Sequence, residues 1–186
     1  AQGEVGSLAF WVPPVVPLLL ARVVERFEGR RAHDERDRVA AGFVTLANRI
    51  VSLLARVDRP EELCSVRTAA LAWARQAGLW EVAATNAVAI AELHGHLGRH
   101  ASADAMLREA DAILSRTDPP SESLSMEVAR LRGVTAMALG DLDEAYRQLG
   151  KAKVLAAASR SDRGLSAGVA RSLGQVLSMR GELTEA

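Results

Sequence analysis

The sequence predicts an all-α protein built from stacked antiparallel helix hairpins. The main observation is an internal repeat: a Gly-containing turn followed five residues later by Ala occurs at Gly98, Gly140 and Gly181, at intervals of 42 and 41 residues. Repeats of this length are typical of arrays of helical hairpins. Composition agrees, because 49% of the residues are hydrophobic but only 4% are aromatic, so we expect a core of Ala, Leu and Val.

The N-terminal segment predicts a separate element. Its apolar stretch at 8–21 contains three prolines, lacks a basic segment before it, and is too short to span a membrane. Proline is tolerated in a first helical turn, so a helix beginning near Pro14 is expected. We therefore interpret residues 1–33 as an N-terminal docking helix or cap that ends at a break over 29–33.

Helix start and stop signals divide the remainder into pairs. Pro60 starts a helix that Gly78 ends, and the prolines at 119 and 120 separate two pairs. The predicted helices are 34–57, 60–77, 80–97, 101–116, 124–139, 142–159 and 165–180, with a loop at 161–164. The repeats are therefore about 34–78, 79–120, 121–162 and 163–186. The last is incomplete, and we expect it to continue in a longer polypeptide.

Small residues predict where paired helices lie closest. Gly133 and Gly174 each precede a turn by seven residues, at an interval of 41. A glycine there removes the side chain where two helices cross. Ala145 and Ala152 lie seven residues apart, which places both on one face of the facing helix. We therefore expect a close crossing at Gly133.

Residues around Gly140 resemble a tetratricopeptide repeat, a family recognised by a small residue and an aromatic on its first helix, a glycine turn, and small residues on its second helix. The resemblance is carried by Gly133, Leu139, Gly140, Asp141, Glu144, Ala145, Leu149 and Ala152. The start of a further copy is similar at Leu173, Gly174, Gly181, Glu185 and Ala186, and an earlier copy at Gly98, Ala103, Leu107 and Ala110. In that earlier copy Ala91 replaces the Gly and His94 the aromatic.

The resemblance implies a right-handed superhelical array in which the first helix of each pair lines a concave groove and the second forms the convex backing. The period of 41 or 42 residues exceeds the usual period of about 34. Arrays of this longer type are similar to those of large bacterial signal-transduction ATPases and transcription regulators.

The groove residues follow by counting back from each turn. They are Thr45, Asn48, Ser52 and Arg56, then Thr85, Val88, Glu92 and His96, then Glu127, Arg130, Val134 and Met137, then Arg171, Gln175 and Ser178. Asn48 is expected to bind a peptide backbone through its amide, and Arg56, Arg130 and Arg171 each to bind a carboxylate bidentately. A solvated helix face is the alternative interpretation.

The balanced charge and the absence of catalytic motifs argue against several classes of function. Lys plus Arg equals Asp plus Glu at 23 each, which argues against nucleic acid and an anionic membrane as partners. No nucleophile elbow or phosphate-binding loop is present, so we expect neither an enzyme nor a cofactor. The single Cys64 excludes an internal disulfide, and cytoplasm is the default location.

Three local groups favour structural roles. His94, His96 and His100 invite a metal interpretation, but residues two apart on a helix point in different directions, so no metal is expected. Acidic residues at 141, 143 and 144 fit a turn and the first turn of a helix. Trp80 is expected to pack, since no basic run accompanies it.

The sequence therefore predicts a module that binds a protein or a peptide in the groove. One alternative is a domain that senses a ligand or partner within a larger bacterial regulator. A second alternative is a noncatalytic arm of a larger enzyme.

Overall fold

The regular secondary structure of the described residues is helical. The computed structural model describes residues 60–119, 121–158 and 163–182, so the helices predicted before residue 60 lie outside the described residues. The described helices are α1 (Pro60–Gln76), α2 (Trp80–His96), α3 (His100–Leu114), α4 (Glu122–Ala138), α5 (Leu142–Ala158) and α6 (Arg163–Met179). For these ranges the all-α prediction is confirmed. The chain divides into two compact units, Ala1–Leu79 with α1 and Trp80–Ala186 with α2 to α6.

In the first unit, α1 has the features of an amphipathic helix. Pro60 is its first residue, where the missing N–H costs no helical hydrogen bond. Acidic side chains occupy its first turn and Arg75 its last, which suits the helix dipole. Its buried residues are Val66, Ala70, Leu71 and Ala74, which share one stripe.

The glycine turns share one hydrogen-bonding pattern. In the turn between α4 and α5, the N–H of Asp141 donates to the carbonyl of Ala136 at 2.9 Å and that of Gly140 to the carbonyl of Met137 at 3.1 Å. The same two bonds recur at the ends of α1, α2 and α6. The glycine has a φ between 70° and 82° in every case, a left-handed conformation that a Cβ disfavours. The predicted turns are thereby confirmed.

Within the second unit, sequential helices pack as hairpins. The most extensive contacts join α2 to α3 and α4 to α5, and smaller interfaces join α3 to α4 and α5 to α6. Contacts also join α2 to α4 and α4 to α6, the first helices of successive hairpins. Between α3 and α5, the second helices, no comparable contact exists.

The core of this unit repeats from hairpin to hairpin. Three pairs of equivalent residues on α3 and α5 are essentially inaccessible to solvent: Ala103 and Ala145, Leu107 and Leu149, and Ala110 and Ala152. Two clusters then link three helices each. One contains Met126, Ala129, Ala152 and Val169, and the other contains Ala136, Ala145, Leu149 and Val176. Small residues therefore occupy the hairpin contact, as predicted.

Gly133 lies at the predicted close crossing. A Cβ at this position would lie 2.5 Å from Cγ of Leu149 and 3.2 Å from the carbonyl oxygen of Ala145. Ordinary carbon contacts are about 3.5 to 4.0 Å. Only glycine therefore permits α4 and α5 to approach this closely here.

Several predicted helix ends differ from the structure by one or two residues, and one loop is shorter than predicted. Helix α3 ends at Leu114, two residues before the predicted end, because Ser115 and Thr117 donate their hydroxyls to carbonyls three residues earlier at 2.8 and 2.7 Å. Such side-chain bonds compete with helix continuation. Helix α4 begins at Glu122 rather than 124, since Ser121 takes the extended N-cap conformation. Helix α6 already includes residues 163 and 164, which the sequence assigned to a loop.

Candidate binding face on the first helices

Residues predicted to line a groove lie together on α2, α4 and α6. We call their common surface the first-helix face: it comprises Thr85, Glu92 and His96 on α2, Glu127, Arg130, Val134 and Met137 on α4, and Arg171, Gln175 and Ser178 on α6. All of these are exposed or half-buried. The predicted residues Thr45, Asn48, Ser52 and Arg56 lie outside the described residues.

Val88 does not belong to this face. It is only 6% exposed, and it sits among the buried positions of α2. Both α3 and α4 pack against α2, so its buried stripe is wider than a simple count from the turn suggests. The assignment of Val88 to the groove was therefore wrong.

Arg130 is held by an acidic residue of its own helix. Its Nε donates to Oε2 of Glu127 at 2.8 Å, and its Nη2 donates to Oε1 at 2.5 Å. The side chains retain only 21% and 20% of their exposure, respectively. This is a half-buried bidentate pair between residues one helical turn apart.

The neighbouring first helices also act on Arg130. The hydrogen bonds that Arg130 donates to Glu127 raise the pKa of Arg130, burial lowers it, and the negative charges of Glu127 and of Glu92 raise it further. Glu92 belongs to α2, so its charge acts on Arg130 from the preceding hairpin. On the other side, Cδ of Arg130 would lie 3.8 Å from a Cβ at Gly168 of α6. Arg130 is therefore placed at the centre of the first-helix face.

This geometry changes the role expected for Arg130. The sequence predicts that its guanidinium binds a carboxylate bidentately, and in the structure that carboxylate comes from Glu127. The spacing of three residues between the two was visible in the sequence. A contact between Arg130 and a partner stays a prediction.

The remaining residues of the face are of mixed character. Thr85 donates its hydroxyl to the carbonyl of Glu81 at 2.9 Å, a bond within its own helix. Val134 and Met137 are half-buried further along α4, and Met137 packs against the core cluster that contains Leu149. The α4 portion of the face is therefore ionic towards its N-terminal end and apolar towards its C-terminal end.

A second ionic group, which the sequence pattern does not reveal, joins three helices. Arg132 of α4 lies 3.3 Å from Oδ2 of Asp111 on α3 and 3.5 Å from Oε1 of Glu144 on α5. Gln148 donates to the same oxygen of Glu144 at 2.8 Å, and Lys151 lies 3.7 Å from Asp111. The group ties one hairpin to the next. No local spacing predicts it, because its members come from three helices.

Another group that the sequence did not predict lies at the end of α6. Arg180 contacts Asp143 of α5 at 3.1 Å and Glu182 at 2.8 Å, and its guanidinium carbon lies 5.1 Å from the centre of the Tyr146 ring. This is a cation–π geometry. It fastens the end of α6 to the first turn and a half of α5.

Trp80 has a basic neighbour that is far from it in the sequence. The guanidinium carbon of Arg116 lies 4.9 Å from the Trp80 ring centre. Both residues border an open depression of about 530 Å³, together with Glu81, Thr117, Asp118, Pro119 and Ser121. Trp80 is half-buried, so it combines packing with an ionic neighbour.

The histidines differ in their exposure, and one of the turn acids, Asp141, caps a helix. His96 is exposed, whereas His94 and His100 are half-buried. The N–H of Glu144 donates to Oδ1 of Asp141 at 3.0 Å, which makes Asp141 the cap of α5.

Within the described ranges, no group of three or more His, Cys, Asp or Glu side chains is placed to hold a metal ion. None of the helices in those ranges has the length and apolar character that a membrane crossing requires.

Comparisons with known proteins address the fold. No protein-family model matches the chain, and no curated protein matches it significantly. Among solved structures, the chain is similar to BtubC (BKLC) from P. vanneervenii, with a TM-score of 0.66 over 97% of this chain and 80% of that one. The two sequences are 18% identical. The similarity therefore concerns the helical fold alone.

Proposed function

We propose that the chain is a protein- or peptide-binding module of the tetratricopeptide-like type, and that the first-helix face is its binding surface. The observation that carries the proposal is the contact of α2 with α4 and of α4 with α6, without comparable contact between α3 and α5. Helices that lie closer together across successive hairpins occupy the inner side of a curved stack. We therefore assign the first-helix face to the concave side of the stack, and a right-handed superhelix is the form that the tetratricopeptide resemblance implies.

The face suits an extended partner segment. Such a segment crosses α2, α4 and α6 in turn and meets polar groups such as Thr85 and Gln175 as well as the half-buried Val134 and Met137. Because the helices are already packed on one another, the module loses little entropy on binding. Several modest contacts along the segment then add up to useful affinity.

Binding rather than catalysis is the activity we propose. Asp141 caps a helix, Glu127 pairs with Arg130, and Glu144 pairs with Arg132, so these carboxylates have structural partners. We propose the cytoplasm as its location, with which a single half-buried cysteine that forms no internal disulfide is compatible.

A peptide library displayed on phage and selected on the immobilised chain tests the proposal. We expect extended peptides to be selected. Changing Thr85 and Gln175 together to Arg should weaken their binding by about tenfold or more, because bulky charges then stand on the face where contacts are made.

The matched control places the same change on the second helices. Ala105 and Val154 are exposed on α3 and α5, and Val154 is 70% exposed. Changing both to Arg should leave the affinity within about twofold, the range of uninvolved surface substitutions. Equal losses for the two double variants, or a loss only in the control, would place the binding surface elsewhere.

A further inference from the structure

The Glu127–Arg130 pair has the geometry with which a guanidinium binds a carboxylate. Two parallel N–H groups on one edge of Arg130 meet the two oxygens of Glu127 at 2.8 and 2.5 Å. A Cβ built at Gly168 of α6 would lie 3.8 Å from Cδ of Arg130, so the arginine stem runs past this glycine. The Nε–Nη2 edge of Arg130 is thus already used by Glu127.

The charges around this pair disfavour a second carboxylate. Glu127 and Glu92 both place negative charge near Arg130, and a further carboxylate would have to approach these charges. An incoming carboxylate that used the Nε–Nη2 edge would have to displace Glu127, which is tethered one turn away on the same helix and returns at high effective concentration. The displaced Glu127 would then lie beside the newcomer and repel it. Arg171 is exposed on α6, so the restriction is local to α4.

We propose that Glu127 is a specificity-determining residue, which occupies Arg130 and makes the first-helix face reject partners that carry a carboxylate opposite α4. The partner segment is neutral or basic at that point. This inference rests on the proposed function of the same face, and it names the chemistry of the partner there.

A titration with succinate tests the inference without any partner. The Nε–H resonance of Arg130 is followed by NMR in the folded wild-type chain, in Glu127→Ala and in Glu127→Gln, which keeps the side-chain volume. We expect the wild-type resonance to respond weakly and Glu127→Ala to bind succinate at least about tenfold more tightly, since the bidentate competitor is gone. Glu127→Gln should fall between them.

Arg108 provides the matched control. It pairs with Asp104 one turn away at 2.8 Å, but its side chain is 70% exposed. Asp104→Ala should therefore bring no comparable gain in succinate binding at Arg108. A wild-type Arg130 that responds as strongly as Glu127→Ala, or a Glu127→Ala protein that does not respond, would overturn the proposal.

The peptide library separates this inference from the proposed function. Selection on Glu127→Ala should enrich Asp and Glu, whereas selection on the wild type should not; equal acid content in both would contradict the role of Glu127. If neither protein selects peptides, the proposed function fails, while the succinate titration still decides whether Glu127 excludes a carboxylate.

Discussion

Changing Gly133 to Ala tests whether a single missing side chain sets the distance between α4 and α5. The added Cβ would lie 2.5 Å from Cγ of Leu149 and 3.0 Å from its Cδ2. Leu149 is fully buried in the core between the helices, so it has no open space to enter. The nearby backbone oxygen of Ala145, 3.2 Å from the new carbon, prevents relief by a small local shift.

Two opposing terms set the magnitude. Overpacking a core costs about 1 to 3 kcal/mol, and the rigid surroundings of Gly133 place this site at about 3. Ala favours a helix over Gly by about 1 kcal/mol. The net loss of unfolding free energy should therefore be about 2 kcal/mol. A Cβ added at Gly150 of α5 would meet no atom of a neighbouring helix within 4 Å, so Gly150→Ala should instead gain about 1 kcal/mol.

Urea unfolding followed by far-UV circular dichroism measures both variants. With a slope of about 2 kcal/mol per molar urea, the midpoints of the two variants should differ by about 1.5 M. A Gly133→Ala protein as stable as Gly150→Ala would refute the close crossing as the reason for glycine.

Two further changes test the ionic group between helices and the cap of α5. Arg132→Met should lower the unfolding free energy by about 1 to 3 kcal/mol, because Asp111 and Glu144 lose their shared partner. The control Arg108→Met, in an exposed pair, should cost less than about 1 kcal/mol. Similar losses for the two variants in urea unfolding would contradict a stabilising role for the ionic group around Arg132. Asp141→Ala removes the cap of α5 and should cost about 1 kcal/mol in the same assay, and an unchanged midpoint would argue against the cap.

The hairpins could be predicted because their determinants are local or periodic. The sequence predicts turns at Gly98 and Gly140, where both glycines have left-handed geometry, and the small stripe with Ala145 and Ala152 is buried against the paired helix. Gly133 is also where the sequence placed a close crossing. Each of these features repeats at a fixed interval, so the sequence contains several copies of the same information.

The candidate face was only partly predictable. Counting from the turns places Glu92 and Arg130 on exposed or half-buried positions, but it cannot show that α2 buries Val88 against two neighbours. The partnership of Arg132 with Asp111 and Glu144 depends on how one hairpin packs on the next. Such contacts between repeats are set by tertiary packing and leave no periodic trace.

The glycine turns share one geometry, which residues close in sequence determine. The turn at Gly98 and the turn at Gly140 use the same backbone bonds and depend on no distant side chain. The 42 residues from one to the other therefore form a natural unit of insertion or deletion, since cutting and joining at equivalent glycines preserves both turns. The array can change its length in steps of one hairpin, and under the proposed function the length of partner segment that it binds would change with each step.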